Sequence, residues 1–465
     1  MDQGNVLTDK QPATHNITGP EIGKVYGLLL KRSLELLTAS ENRRKRKQNH
    51  LSPCDTLFNF VKLSFLHNTL LKYRYMVRFN NLVILDSTFP PFPSKAFDKR
   101  ISNYLNHFDL QELPSGIVSF STTNCCPYSC SFCSTSAHRN PDLDLDENLL
   151  KLTIRQVESL GVPTIILHGG EPLFRYERFL RLVKHVQNDI CLWMFTTGYG
   201  SSLDRAMELR ENGLFGVWIS LDHYDPDTHN QLRGHPKAFD NACRAVDHFK
   251  RAGVYTCLSL VPPDDLLNPD NFIKYYDFAR DLGVAEIRIL ERKPCGRESR
   301  SGVAPHSKTL EKLQKDLFHD HRYKNHPPIS GLSTWMEKDE AFGCQCRFEY
   351  LFIASRGDVQ PCEATEITFG NITQEDFFDV YERIRKAFPK PVTGCIPMEM
   401  FSEIQKYLKK KEGLGPQDAA QLSCKIMKEF QKRGSIPGAY RPLWPIYEKR
   451  LLAYRNRKQK ARSCN

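Results

Sequence analysis

Between Gly116 and Leu290 the sequence alternates six times between two textures, and this alternation restricts the fold more than any other feature. Short β-branched or apolar runs cover Ile117–Ser121, Thr164–His168, Cys191–Thr196, Gly216–Leu221, Tyr255–Val261 and Ala285–Leu290. Amphipathic stretches lie between them at Glu147–Leu160, Tyr176–Gln187, Leu203–Asn212, Ala238–Ala252 and Pro269–Leu282. The last three end beside Gly213, Gly253 or Gly283, where a helix-terminating glycine belongs. Strands alternating with helices predict an α/β fold in which a parallel sheet is covered by helices. Right-handed crossovers then curl the sheet toward a barrel or part of one.

The flanking sequence divides more coarsely. Residues 1–110 read as a mainly helical segment, with helices expected near Glu21–Leu37 and Leu57–Leu71 and a strand at Leu82–Leu85. The core is expected over 111–300. The stretch from Pro294 to Ser333, rich in Gly, Pro, Ser and charge, reads as a long connection and sets a linker over 301–341. A compact cysteine-bearing segment follows over 342–400, and 401–465 reads as helical and basic.

The N-terminal residues lack the basic start and apolar run of a signal peptide. The most apolar stretch, Val25 to Leu37, is interrupted by Lys31 and Arg32 and is too short to span a bilayer. A cytosolic location is therefore expected. In that reducing compartment, fifteen cysteines point to metal ligation or catalysis before disulfides. Cys54, Cys191, Cys243 and Cys257 stand alone among apolar neighbours and read as buried small hydrophobes. The net charge of +11 gathers in Arg43–Lys47 and in the tail from Lys449 to Arg462. Neither patch carries interleaved aromatics or a nucleic-acid motif, so no nucleic-acid partner is expected.

The run Cys126-Pro-Tyr-Ser-Cys130-Ser-Phe-Cys133 has the spacing C-x3-C-x2-C and directly follows the first core strand. Three thiolates on one short loop can ligate three irons of a cubane cluster and leave the fourth open, whereas electron carriers usually take four cysteines. The other reading is a zinc site completed by Cys125 or His138, although structural zinc usually draws on paired C-x2-C or Cys/His hooks. The spacing, with Phe132 before the third cysteine, resembles the signature of the radical S-adenosylmethionine superfamily. That resemblance implies a partial (β/α)6 barrel. It also implies a 4Fe-4S cluster whose open iron takes the amino and carboxylate groups of S-adenosylmethionine. One electron then splits the sulfonium, and the resulting 5′-deoxyadenosyl radical abstracts hydrogen from a substrate.

Further elements fall at strand ends, the edge where parallel barrels build their sites. Gly169-Gly170-Glu171-Pro172 after the second strand resembles the superfamily's GGEP element, with Glu171 expected to fix the loop. Thr196-Thr197-Gly198 follows the third strand, Ser220-Leu221-Asp222 ends the fourth, and Arg233-Gly234 comes a short loop later. By resemblance, Phe132, Gly169, Gly170, Glu171, Ser220 and Arg233 form the cofactor site, with Ser220 and Arg233 meeting the methionine carboxylate.

A second cysteine group comprises Cys344-Gln-Cys346, Gly357, Cys362 and Cys395. Two strands joined by a glycine turn would bring Cys344 and Cys362 side by side. The pattern resembles the first half of a SPASM or shortened Twitch extension and lacks its dense second run of cysteines. One auxiliary iron–sulfur cluster on Cys344, Cys362 and Cys395 is implied, with Cys346 replacing Cys344 or acting as a fourth ligand. Unligated thiols in a small hairpin are the other reading.

The expected function is reductive cleavage of S-adenosylmethionine followed by hydrogen abstraction from a peptide side chain or small molecule. A reductant such as ferredoxin or flavodoxin would supply the electron. Two alternatives stand. The apolar stretch Leu57–Leu66 near the basic run would suit peripheral membrane contact and a lipid substrate. A non-catalytic iron–sulfur protein for electron transfer or regulation is the alternative of another class.

Overall fold

The computed structural model describes residues 14–46, 59–60, 62–63, 76–106, 113–140, 144–299, 307–331, 339–344, 346–411 and 413–449. At its centre lies one nine-stranded sheet of order β10-β9-β8-β7-β6-β5-β4-β11-β12. Its strands are β4 (Ile117–Ser121), β5 (Thr164–His168), β6 (Cys191–Thr196), β7 (Leu214–Ser220), β8 (Tyr255–Leu260), β9 (Ile287–Ile289), β10 (Ile329–Ser330), β11 (Tyr350–Ile353) and β12 (Val359–Gln360). Every neighbouring pair is parallel except β11 with β12. A smaller antiparallel sheet joins β1 (Thr14–Asn16), β2 (Val77–Phe79) and β3 (Leu82–Ile84).

The central strands are buried on both faces, the environment that β-branched, near-continuously apolar runs favour. The outer face packs on the crossover helices through residues such as Ile165, Val217, Leu258 and Phe249. The inner face builds a separate core from Ile166, Trp193, Trp218, Tyr255 and Phe352. There the Trp193 and Trp218 rings stack with centroids 3.9 Å apart. Val77, Phe79 and Ile84 of the small sheet enter the same core, with Phe79 edge-on to Tyr255 at 5.2 Å. The N-terminal segment thus closes the lower end of the half-barrel and leaves the carboxyl edge of the sheet open.

The crossover helices begin and end on the groups their sequences provide. Asp146 accepts from the backbone N–H groups of Asn148 and Leu149, and Asp225 accepts from Thr228 N–H at 2.9 Å. Gly283, in the left-handed conformation, closes helix Pro269–Leu282.

Two elements differ from the sequence expectation, and a third lies mostly beyond the described residues. Helix Pro20–Arg46 runs past the expected Leu37. The expected helix at Leu57–Leu71 lies mostly outside the described residues, which there include only 59–60 and 62–63, both helical. The expected linker contains helix Ser307–His319 and strand β10, which pairs with β9 through Ile329 and Ile287. Leu310, Leu313 and Leu317 form its buried stripe at helical spacing, which the Pro- and Gly-rich flanks mask in a composition reading. Of the four solitary cysteines, Cys191 and Cys257 are buried, Cys243 is half-buried, and Cys54 lies outside the described residues. Among the described residues, no helix is long and apolar enough to cross a membrane.

The floor of the half-barrel holds an ionisable group. Glu286 is buried, accepts from Ser87 and Ser330, and lies 3.4 Å from the Tyr255 hydroxyl. Burial, then the charge of Asp86, pushes its carboxyl up to about 7. The folded state therefore holds this proton more tightly than the unfolded chain. The stability it contributes is complete below the ordinary carboxyl range and is lost as pH rises through about 7. The unfolding free energy, read from denaturation midpoints, should fall between about pH 5 and about pH 8 by on the order of 3 kcal/mol. Glu286→Gln should flatten that slope; an unchanged slope in the variant would assign it elsewhere.

Candidate functional site

The open edge of the sheet carries a cavity of about 270 Å³. Cys126, Cys130 and Cys133 line it, as do Cys344, Cys346, Cys362 and Cys395. Two cysteine groups more than two hundred residues apart in sequence therefore face one space. The parallel pairing of β11 with β4 brings them there, since Tyr350–Ile353 aligns with Ile117–Phe120.

The first loop is fixed mainly through its backbone. Cys126 N–H donates to His138 C=O at 2.8 Å, and Gly170 N–H and Glu171 N–H donate to Thr123 and Cys125 C=O, each at 2.7 Å. A Cβ on Gly170 would strike the Cys125 carbonyl, so glycine here allows the β5 turn to press against the cysteine loop. The Arg297 guanidinium holds the other side, donating to Cys130 C=O at 2.5 Å and to Ala137 C=O. Burial, then the Glu171 charge, pushes the Cys126 thiol up to about 12. Burial likewise raises the Cys130 thiol, opposed by the positive Arg233. Without a metal these two thiols would stay protonated, and ligation is what converts such groups to thiolates.

The expected cofactor contacts divide into two sets. Gly169, Gly170, Phe132, Ser220 and Arg233 line the cavity. Glu171 does not. Its carboxylate is fully buried and accepts from Leu173 N–H (2.9 Å), Thr196 Oγ1 (2.7 Å), Thr197 N–H (2.6 Å) and Thr197 Oγ1 (2.6 Å). It ties the turn after β5 to the turn after β6. Arg233 is not on a loop but ends helix Pro226–Arg233, whose polar eight-residue sequence gives no apolar period to read. Gly234 caps that helix in the left-handed conformation, and a Cβ there would meet Ser129 Oγ on the cysteine loop. The Arg233 guanidinium pairs with buried Asp222 at 2.5 Å and reaches Cys130 Sγ at 3.9 Å, with the Phe132 ring 5.2 Å away.

In the second group, Cys346 lies between Cys344 and Cys362. Hydrogen bonds with those two thiols, then burial, raise it well above the ordinary thiol range. Cys344, Cys346 and Cys362 all line the cavity together. Cys125 and His138, the residues a zinc site would add to the first cysteine group, do not line the cavity.

Several lining groups escaped the sequence reading. Cys295, His168, Arg288 and Glu363 all face the cavity. Cys295 follows β9 and is buried, with its thiol raised by burial and then by Glu366 and Glu363. Burial lowers the His168 imidazole, which lies 3.8 Å from Glu363. His168 ends β5 and Arg288 sits within β9. Their in-facing positions follow the two-residue strand period, a signal that becomes useful once the strand's inner face is known.

Comparison with known proteins agrees with this geometry. A model of the radical SAM superfamily matches residues 120–279, and one of an iron–sulfur cluster-binding domain, SPASM, matches residues 344–395. The chain carries a radical SAM domain and a SPASM domain. With them come a 4Fe-4S cluster, S-adenosylmethionine and an auxiliary iron–sulfur cluster. An AdoMet-dependent heme synthase of Oleidesulfovibrio alaskensis is 24% identical over 294 residues, covering 57% of this chain and 74% of the relative. The sporulation killing factor maturation protein SkfB of Bacillus subtilis is 23% identical over 263 residues, covering 56% and 62%. Among solved structures, Streptococcus suis SuiB bound to its precursor peptide SuiA shares the fold. Its TM-score is 0.50 at 17% identity, covering 61% of this chain and 68% of SuiB. These matches make the chain a radical SAM enzyme whose core is the expected partial barrel.

Because Glu171 joins two turns of the radical SAM domain and does not reach the cavity, its loss should first be felt as instability. Glu171→Ala leaves buried donors unmet and should destabilise the protein on the order of 3 kcal/mol, read as a shifted denaturation midpoint. A variant of unchanged stability with weakened S-adenosylmethionine binding would make Glu171 a cofactor contact instead.

Proposed function

We propose that this enzyme abstracts hydrogen from a peptide side chain or small molecule held between its two cysteine groups. The observation carrying this reading is that both groups line one cavity. On this reading Cys126, Cys130 and Cys133 hold the radical SAM cluster, while Cys344, Cys346, Cys362 and Cys395 hold the auxiliary one. The bound cluster and S-adenosylmethionine supply a hydrogen-abstracting radical when one electron arrives from an external reductant such as ferredoxin or flavodoxin. The chain's part is binding, placement and exclusion. Ser220 and Arg233 stand on the cofactor side of the cavity, and the Asp222 carboxylate keeps the guanidinium aimed. Arg297 and the β5 turn prevent the cysteine loop from shifting.

A peptide substrate is supported by the likeness to SkfB, a maturation protein, and a small molecule by the likeness to heme synthases. Most of Leu57–Leu66, on which the lipid reading rests, lies outside the described residues.

Anaerobically reconstituted protein given dithionite and S-adenosylmethionine should form 5′-deoxyadenosine. Cys126→Ala, Cys130→Ala and Cys133→Ala should each abolish it while leaving iron at the second group. Formation at the wild-type rate in any of the three would remove that cysteine from the cluster. Arg233→Ala should retain the cluster but bind S-adenosylmethionine roughly ten- to a hundredfold more weakly, the loss expected for one charge-assisted contact. Unchanged affinity by calorimetry would reject that contact. The soluble Cys344→Ala/Cys362→Ala/Cys395→Ala triple variant should lose about four irons, as one cubane holds, yet still cleave cofactor. Full iron content would show that these cysteines are not ligands.

A further inference from the structure

Among the described residues, four Arg or Lys side chains line the cavity: Arg233, Arg288, Arg292 and Lys293. Three have a carboxylate partner. Arg233 pairs with Asp222, Arg292 with Glu298, and Lys293 with Glu291 at 2.8 Å. Among the described residues, Arg288 alone of the four has no carboxylate within 4 Å, and its side chain makes no hydrogen bond. It is only 3% exposed, and its Nε and Nη1 are buried without a partner. A charge so placed is costly unless something pairs with it.

The surroundings of Arg288 show how that charge is held. Its guanidinium lies 4.8 Å from the Trp218 ring and 5.8 Å from Phe195, so aromatic faces support it within the half-barrel. Rings at these distances support the charge without accepting from its N–H groups, which stay available to a planar oxyanion. Ser259 is its neighbour across the sheet and also lines the cavity. The nearby buried acid does not account for Arg288. Glu286 is met by Ser87 and Ser330, and the positive Arg288 ranks last among the influences on it. Glu363, the remaining lining carboxylate, follows β12 and accepts from the Tyr350 hydroxyl at 3.2 Å, with His168 3.8 Å away.

We propose that Arg288 is the substrate-anchoring residue of this cavity and takes a carboxylate group of the substrate. One unpaired guanidinium matches the single charge of a carboxylate. A phosphate dianion would call for a second free cation, which the described residues of the lining do not provide. The inference deepens the proposed function by giving the substrate a chemical class: a molecule or peptide presenting a carboxylate to β9, with the atom to be attacked nearer the cofactor side.

The test uses anaerobically reconstituted holoenzyme with S-adenosylmethionine bound, and 3-phenylpropionate, its neutral amide 3-phenylpropionamide and phenyl phosphate as probes. Binding is measured by calorimetry, without turnover, so the result does not depend on whether cofactor is cleaved. Wild-type protein should bind the acid at least tenfold more tightly than the amide, as a charge-assisted pair provides. Arg288→Met should abolish that preference, and Arg288→Lys should keep part of it, which guards against a Met variant that fails to fold. Equal binding of acid and amide to the wild type, or no binding of either, overturns the proposal. So does a preference that survives in Arg288→Met, or phenyl phosphate binding tenfold more tightly than the acid. If Arg288→Met and Arg288→Lys lose S-adenosylmethionine affinity in step with acid affinity, Arg288 is a cofactor contact and the proposal also fails. A wild type that discriminates acid from amide yet never forms 5′-deoxyadenosine would retain the anchor and defeat the radical reading.

Discussion

The pairing of β11 with β4 is the contact on which the site depends. β4 runs directly into the loop bearing Cys126, Cys130 and Cys133, and β11 is the strand that the second cysteine group flanks. Parallel register over Tyr350–Ile353 and Ile117–Phe120 therefore sets the spacing between the two groups through backbone hydrogen bonds. Were the extension docked by side chains alone, each substitution in either group could change that spacing. As an added strand of the same sheet, it is held as firmly as the barrel itself. Arg100 strengthens the seam by pairing with Glu349, just before β11.

Closure of the lower end follows a different principle. The inner core is aromatic, with Trp193, Trp218, Tyr255 and Phe352 filling the half-barrel and Phe79 sealing it from below. Above that layer the lining turns polar and charged, with His168, Ser259 and Arg288. The aromatic layer keeps water from entering beneath, and it supports Arg288, which among the described cationic groups of the lining has no carboxylate partner. Burial alone would push such a charge out, and the nearby Trp218 and Phe195 rings offset part of that cost.

Much of the fold was legible in the sequence because a parallel sheet buries both faces and so records its strands as apolar runs. Ile117–Ser121, Thr164–His168 and Cys191–Thr196 have the expected bounds, and helix Pro269–Leu282 does too. What escaped was set by tertiary contact. Helix Ser307–His319 buries only one narrow stripe, and helix Pro226–Arg233 is stabilised by its Asp225 and Gly234 caps rather than by an apolar face. In the site, the motif residues were readable because their spacing lies within single loops. Arg297, which clamps the cysteine loop, and Arg288, which faces the cavity from another strand, carry no local signal. Glu171 was visible as part of a motif, but only its four hydrogen bonds show that it holds two turns together.

The central claim is that three thiols on one loop leave an iron open to S-adenosylmethionine in the cavity. Electron–nuclear double resonance on the dithionite-reduced protein tests it directly, using S-adenosylmethionine labelled with ¹⁵N at the amino group and ¹³C at the carboxylate. The account predicts hyperfine coupling of both labels to a reduced cluster, absent from Cys130→Ala protein that still holds its second cluster. A fully reconstituted wild-type protein whose cluster signals show no coupling to either label would contradict it.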